Sequence, residues 1–94
     1  SDLYLKNDEI LDLRASFYEK FYTIKKPFFT LKFIKDGKVI SHYAKHYRGL
    51  ILKEMAKNNI KSIDEFKNIN INGLILSEIQ EIKNRQEFIF EIKN

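Results

Sequence analysis

The stretch FTLKFIKDGKVIS, residues 29–41, decides the fold because it has the pattern of a β-hairpin. Phe29, Leu31 and Phe33 alternate with Thr30, Lys32 and Ile34, and Asp36-Gly37 stands between two apolar runs. Asp-Gly favours a type I′ turn, in which both central residues need a positive φ. The turn fixes the cross-strand pairs Lys35 with Lys38, Ile34 with Val39 and Phe33 with Ile40. In this register one face, directed at the core, carries Phe29, Leu31, Phe33 and Ile40.

A long helix is predicted directly after the hairpin, from His42 to about Lys57, with Ser41 as its N-cap and Asn58-Asn59 as its stop. Its apolar stripe consists of Tyr43, Tyr47, Ile51 and Met55, with Ala44, Leu50 and Leu52 beside it. The residues mostly off the stripe are His42, Lys45, His46, Gly49, Lys53 and Lys57. Glycine inside a helix costs about 1 kcal/mol relative to alanine. Gly49 therefore suggests that another backbone or a ligand approaches closely.

Weaker patterns surround this hairpin and helix. A buried strand is predicted around Ile10 to Ala15, and the chain leaves the sheet at Ser16. A short helical turn could follow through Phe17, Phe21 and Tyr22. Ser62, with Glu65 three residues later, fits a capping box. Leu74 to Ile79 and Glu87 to Ile92 fit two strands, with Lys83-Asn84-Arg85 as the reversal and with Phe88, Phe90 and Ile92 on one side.

Together these elements predict an α+β fold with a mainly antiparallel sheet, a β-hairpin, one long helix and a C-terminal strand pair. Residues 1–94 are expected to form a single unit. The chain has no apolar run of the roughly 20 residues that a membrane helix needs, and no signal peptide is visible. It has no cysteine, so neither a disulfide framework nor a thiolate site is available.

Positive charge is concentrated in the middle of the chain. Residues 20–61 contain eleven lysines and arginines and two acidic residues, a net charge of +9 within a chain of net charge +4. Residues 1–19 and 62–94 carry net charges of −3 and −2. A cationic segment of this kind suggests an anionic partner, and nucleic acid is the first candidate.

Catalytic and metal-binding chemistry is poorly represented. His42 and His46 share one face of the predicted helix, but no third histidine or cysteine completes a zinc site. Glu78 and Glu81 fit solvated charges at a strand edge. No nucleophile, base and oxyanion donor come together in the sequence. We therefore expect no enzyme activity, no catalytic residue, no metal site and no cofactor.

The basic middle has three interpretations. Its cations could follow the phosphates of a nucleic acid, with Tyr43 and Tyr47 stacking on bases only if they are exposed; their helical spacing favours the core instead. The cations could also meet an acidic surface elsewhere in a longer chain. Finally, they could form a solvated surface without a specific partner.

Three blocks, in order, resemble the C-terminal third of the YaaA family of peroxide-stress proteins. These blocks are Leu13-Arg14-Ala15-Ser16-Phe17-Tyr18, residues 33–41 of the hairpin, and Tyr43-Ala44-Lys45-His46-Tyr47-Arg48-Gly49-Leu50. The pattern Ser-x-Tyr-Ala-Lys-x-x-Arg-Gly-Leu, directly after a Gly-Lys hairpin, is the strongest match. The resemblance extends from about Leu11 to Ile92. It departs from the family pattern at His46-Tyr47, and the family's N-terminal block and a helix-hairpin-helix signature are absent.

The resemblance implies a longer bacterial, cytoplasmic protein that binds DNA without enzyme activity and protects cells from hydrogen peroxide and iron damage. Lys45 and Arg48, followed by Gly49, match the family's Lys-x-x-Arg-Gly and are the main DNA-binding candidates. Lys32 and Lys53 are added from the basic hairpin and helix. The expected partners are DNA, through the intact protein, and the N-terminal remainder of the same protein, with no membrane contact.

An alternative hypothesis is a structural or interaction segment whose basic residues face a site inside the intact protein, without nucleic-acid contact of its own. The position of two side chains distinguishes the hypotheses. Pairing of Lys45 and Arg48 with carboxylates in a groove beside the sheet would favour the structural role. An open position in line with Lys32, Lys35 and Lys53 would favour DNA contact.

Overall fold

The computed structural model of the chain describes residues 2–6, 9–12, 27–40, 44–82 and 85–93. Its strands are β1 (Asp2–Tyr4), β2 (Ile10–Asp12), β3 (Phe28–Lys35), β4 (Lys38–Val39), β5 (Leu74–Ile82) and β6 (Arg85–Ile92). Its helices are α1 (Ala44–Lys57) and α2 (Ile63–Phe66). A six-stranded sheet and two helices confirm the predicted α+β class.

The sheet is mixed, with strand order β1-β2-β3-β6-β5 and with β4 paired to β3. The pairs β1–β2, β3–β4 and β5–β6 are antiparallel, whereas β3 is parallel to both β2 and β6. The sequence predicts only the antiparallel hairpins. The parallel β3–β6 pair requires a long crossover connection, and the chain between these strands contains α1 and α2. The pattern within a strand does not reveal a partner so distant in sequence.

The predicted hairpin is confirmed in its register and its turn. Ile34 pairs with Val39, Lys35 pairs with Lys38, and the Ile40 N–H donates to the Phe33 carbonyl at 3.1 Å. Asp36 and Gly37 have φ values of +52° and +78°, as a type I′ turn requires. The core face is also confirmed, since Phe29, Leu31 and Phe33 are buried and Ile40 packs against the same core.

Helix α1 lies on this core face and buries Ala44, Ile51 and Met55. Leu52, placed beside the apolar stripe by the sequence, is instead 38% exposed. The predicted stop is confirmed: Asn59 has a φ of +53°, its N–H donates to the Ala56 carbonyl, and the Ile60 N–H reaches back to the Met55 carbonyl at 2.9 Å. This pair of hydrogen bonds is a Schellman motif. The predicted helix start at Ser41 and His42 lies outside the described residues.

Short helix α2 and strand β6 complete the core. Ser62 Oγ accepts from the Glu65 N–H at 3.2 Å, which confirms Ser62 as an N-cap, while the Glu65 carboxylate accepts from Ser62 Oγ and from the Lys61 N–H. Phe66 is fully buried against Phe88 and Phe90, with ring centroids 5.3 and 6.2 Å away. Burying a phenylalanine contributes about 1.5–3 kcal/mol relative to leaving it exposed.

Several predicted boundaries change. Strand β2 is described from Ile10 to Asp12, whereas residues 13–15, Ser16 and the proposed helical turn through Phe17, Phe21 and Tyr22 lie outside the described residues. Strand β1 was not predicted. Strands β5 and β6 are longer than expected, and Arg85 is not part of a turn because it pairs with Ile82 at the start of β6. The other two predicted turn residues, Lys83 and Asn84, are outside the described part.

Candidate functional site

The outward side of α1 carries most of the DNA-binding candidates. Lys45, Gly49 and Lys53 are exposed, and Arg48 is half-buried. Four residues make about one helical turn, so Lys45 and Gly49 lie on one side of the helix and Lys53 follows one turn later. His46 and Lys57 are also exposed on this helix. We call Lys45, Arg48, Gly49 and Lys53 the α1 basic face.

The positive charges of the α1 basic face are not neutralised by carboxylates within the described part of the chain. The ion pairs there join Lys32 to Glu87 and Lys67 to Asp64, and neither involves Lys45, Arg48 or Lys53. Three uncompensated cations on one helix attract anions. The carboxylate pairing of Lys45 and Arg48 that would favour the structural hypothesis is therefore not seen among the described residues.

No described residue outside α1 packs where a side chain at Gly49 would begin. A Cβ built on this residue would meet no heavy atom within 4 Å among the described residues. The close approach suggested by the sequence is therefore not made by any described element of this chain. The described core therefore gives no packing reason for a glycine at this position.

Tyr47 belongs to the edge of the core. It is half-buried, packs against the core, and has its ring centroid 5.9 Å from that of Phe33. This contact confirms core packing for Tyr47, whereas Tyr43 lies outside the described residues. His46 is exposed and touches Tyr47 edge-on at 5.1 Å. The described residues contain no cluster of three potential metal ligands, and His42, the other histidine, is not among them.

Lys32 lies on the opposite face of the sheet from α1. Side chains alternate along β3, so Lys32 projects away from Leu31 and Phe33, which pack with the helix. Lys32 Nζ is 3.5 Å from Glu87 Oε1 on the adjacent strand β6. The structure therefore does not bring Lys32 together with the α1 basic face.

Sequence reasoning missed the polar cluster around Glu87. This carboxylate is only 6% exposed and accepts a hydrogen bond from Thr30 Oγ1 at 3.4 Å. Thr30 in turn accepts from the Arg85 guanidinium at 3.5 Å. Alternation along β6 indicates that Glu87 faces away from Phe88 and Phe90. Its cationic partner could not be found, because the parallel β3–β6 pairing was not predicted.

An apolar groove runs beside the second half of α1. It has a volume of ≈ 560 Å³, within the range of small-molecule sites. Its lining residues are Leu5, Lys6, Leu52, Met55, Ala56, Asn59, Ile60 and Lys61. Arg48, Leu52 and Ala56 are spaced by four residues and form one row along α1. This row leads from Arg48 of the α1 basic face to Leu52 and Ala56 in the groove lining.

Neither helix of the described residues, α1 or α2, has the length and apolar character of a membrane-spanning segment.

Comparison with known proteins identifies the family. The chain is 54% identical over 91 residues to an uncharacterized protein of Campylobacter jejuni, covering 97% of this chain and 37% of that protein. It is 40% identical to a UPF0246 protein of Clostridioides difficile over 65% of this chain and 25% of that protein. A UPF0246 protein of Alteromonas mediterranea is 36% identical over 54% of this chain and 20% of that protein.

The matched part of the chain covers between 20% and 37% of the length of these relatives. No solved structure matches the chain. The sequence model of the family described as "Peroxide stress protein YaaA" matches residues 1–80, which is most of the chain. This match agrees with the resemblance carried by the hairpin and by the block at residues 41–50. The chain belongs to the YaaA family of peroxide stress proteins.

Proposed function

We propose that this chain is the C-terminal part of a peroxide-stress protein and that its α1 basic face contributes to DNA binding. The observation that carries the proposal is the set of exposed or half-exposed cations on α1 without carboxylate partners among the described residues. In this account the protein acts in the cytoplasm without catalysis. It protects cells from peroxide damage through its contact with DNA.

The chemistry of the α1 basic face suits a phosphate backbone. Lys45 and Lys53 offer mobile ammonium groups that act as point charges, whereas Arg48 can present two parallel N–H donors to one phosphate. Contacts of this kind fix position and give affinity that depends on salt, but they do not read base sequence. The proposed binding is therefore insensitive to sequence.

Gly49 supports the same proposal through its missing side chain. The open space at Gly49 lies between the Lys45 and Lys53 turns, where a phosphate backbone held by both lysines would pass. Glycine allows this backbone to approach the helix without a steric obstacle. A glycine inside a helix lowers helix stability by about 1 kcal/mol relative to alanine. In this proposal Gly49 is kept despite that loss because it permits DNA binding.

Lys32 receives a different role from the one suggested by charge alone. Its pairing with Glu87 and its position on the far face of the sheet favour a structural contribution. Removal of Lys32 is therefore expected to affect folding more than DNA affinity. Lys32→Ala therefore serves as a control for the α1 variants, because it also removes one positive charge.

The alternative function, a structural segment inside the intact protein, has one observation in its favour. Arg48 is half-buried, and Leu52 one turn later is an exposed large apolar residue. Another part of a longer polypeptide could cover both side chains, since the chain spans 37% of its Campylobacter relative. In that case Arg48 would pair with a carboxylate outside this chain, and Lys45 would not contact DNA.

Fluorescence anisotropy with a labelled DNA duplex tests the proposal. Lys45→Ala and Arg48→Ala should each weaken DNA binding. For each variant the loss should be similar on duplexes of unrelated sequence, because the contacts are to phosphates. Arg48→Lys should recover only part of the affinity, since lysine lacks the paired donors.

Lys32→Ala is the matched control, and its affinity should stay close to that of the unchanged protein. Equal losses for Lys32→Ala and Lys45→Ala would indicate a diffuse charge effect and would refute the assignment to α1. Unchanged affinity in Lys45→Ala and Arg48→Ala would favour the structural alternative.

A further inference from the structure

The groove beside α1 is built from two segments held together by backbone hydrogen bonds. The Lys6 N–H donates to the Lys61 carbonyl at 2.8 Å, and the Leu5 N–H donates to the Glu9 carbonyl at 2.8 Å. Glu9 Oε1 accepts from the Ile63 N–H at 2.9 Å, at the start of α2. These bonds fix the wall formed by Leu5 and Lys6 against the segment that follows α1.

Five of the eight residues that line the groove are apolar, namely Leu5, Leu52, Met55, Ala56 and Ile60. Leu52 is 38% exposed although it lies in the middle of a helix, and Ile60 and Leu5 are only partly covered. Met55 lines the groove from the core side, and its flexible thioether adapts to ligands of different shape. A partly covered apolar groove of this volume is suited to an alkyl chain or a similar apolar body.

The charged groups of the lining are all cationic. Lys6 and Lys61 are exposed, and neither ammonium group forms an ion pair among the described residues, although the Lys61 backbone N–H donates to the Glu65 carboxylate. The carbonyls of Glu54, Met55 and Ala56 at the end of α1 already accept N–H groups from the chain itself. The lining therefore offers apolar surface and positive charge, with its neighbouring backbone groups already satisfied.

We propose that this groove binds a small amphipathic anion, a molecule with an apolar chain and a single anionic head group. The apolar chain lies against Leu52, Met55 and Ile60, and the head group is held by Lys6 and Lys61. The groove lining contains none of Lys45, Arg48, Gly49 and Lys53, although Arg48 lies one helical turn from Leu52. Binding of the amphiphile therefore does not depend on the proposed DNA contact.

Titration of the purified protein with sodium decanoate, followed by calorimetry and by backbone amide NMR, tests the proposal. Decanoate should bind, and it should shift the amides of Leu52, Ala56 and Ile60 more than those of β5 or β6. Decanol, which keeps the chain but lacks the charge, should bind more weakly. Butyrate, which keeps the charge but has a short chain, should not bind measurably.

Variants separate the two parts of the site. The double variant Lys6→Ala/Lys61→Ala should weaken decanoate binding about fivefold and leave decanol binding unchanged, since exposed charge pairs are individually weak. Leu52→Asn should weaken both probes, and because Leu52 is exposed the fold should persist, as a thermal unfolding curve can verify. Lys57→Ala/Lys67→Ala removes the same charge from exposed residues outside the groove and should change neither affinity.

Absence of decanoate binding at millimolar concentration overturns the proposal. Equal binding of decanoate and decanol, equal effects of the two double lysine variants, or amide shifts away from the groove also overturn it. These results are independent of the DNA measurements, so either proposal can fail without the other.

Discussion

Lys32 Nζ lies 3.5 Å from Glu87 Oε1, across the parallel β3–β6 pair and on the sheet face opposite α1. The lysine side chain is 34% exposed and the carboxylate side chain 7%. The basic middle of the chain therefore contains a lysine in a structural ion pair, Lys32, and cations without a carboxylate partner among the described residues, such as Lys45. This difference is the basis for expecting that Lys32 and Lys45 differ when each is replaced.

Replacing Glu87 should destabilise the protein. Glu87→Ala removes a buried carboxylate that accepts from Thr30 and pairs with Lys32, and we expect a loss of about 1–3 kcal/mol in the free energy of unfolding. Glu87→Gln keeps an acceptor for Thr30 and should lose less. Urea denaturation measures both changes.

Glu78→Ala, at an exposed residue on the neighbouring strand β5, is the control for Glu87 and should stay within about 0.5 kcal/mol of the unchanged protein. Equal stability of the Glu87→Ala and Glu78→Ala variants would contradict the role given to the polar cluster.

Gly49→Ala should have opposite effects on stability and on binding. Since a Cβ at Gly49 meets no described atom, alanine should stabilise α1 by about 0.5–1 kcal/mol in urea denaturation. DNA affinity should fall, because the methyl group lies where the phosphate backbone is proposed to approach.

The matched control for Gly49→Ala is Ala56→Gly, at an exposed position on the same helix, which should lose a similar amount of stability. A Gly49→Ala variant that is more stable and binds DNA equally well would remove Gly49 from the proposed interface. A less stable variant would contradict the helix geometry described for this residue.

Phe66 should be among the most sensitive core positions. It is fully buried, and its ring meets both Phe88 and Phe90, so Phe66→Ala should cost about 3–5 kcal/mol. A small domain has little stability to spare, so the variant should unfold at much lower urea concentration. Leu52→Ala, at a partly exposed helical leucine, should lose less than about 1 kcal/mol. Similar losses at the two sites would contradict the difference in burial described for Phe66 and Leu52.

Sequence reasoning succeeded where the determinants are local. The Asp36-Gly37 turn needs positive φ values, and this requirement alone fixes the hairpin register and its core face. Asn58-Asn59 ends α1 because asparagine tolerates the left-handed conformation that a Schellman motif requires. Alternation likewise predicts the buried side of Phe88, Phe90 and Ile92.

What could not be predicted depends on contacts distant in sequence. The parallel partners of β3 are strands reached through long connections, so neither the parallel pairs nor the Lys32–Glu87 ion pair is visible in a local pattern. The same limit applies to the groove, where Leu5 and Lys6 meet Leu52 and Ile60. The sequence placed Leu52 beside the apolar stripe of α1. Helical spacing alone does not show which side of that stripe stays exposed to solvent.

The salt dependence of DNA affinity tests the central claim most directly. Each phosphate contact contributes a slope of about −0.9 to the logarithm of the binding constant against the logarithm of salt concentration. Lys45→Ala/Arg48→Ala should therefore reduce the magnitude of the slope by about 2, whereas Lys67→Ala/Lys93→Ala, at exposed lysines outside residues 20–61, should leave it unchanged. An unchanged slope in Lys45→Ala/Arg48→Ala, or an equal reduction in both double variants, would contradict DNA binding through the α1 basic face.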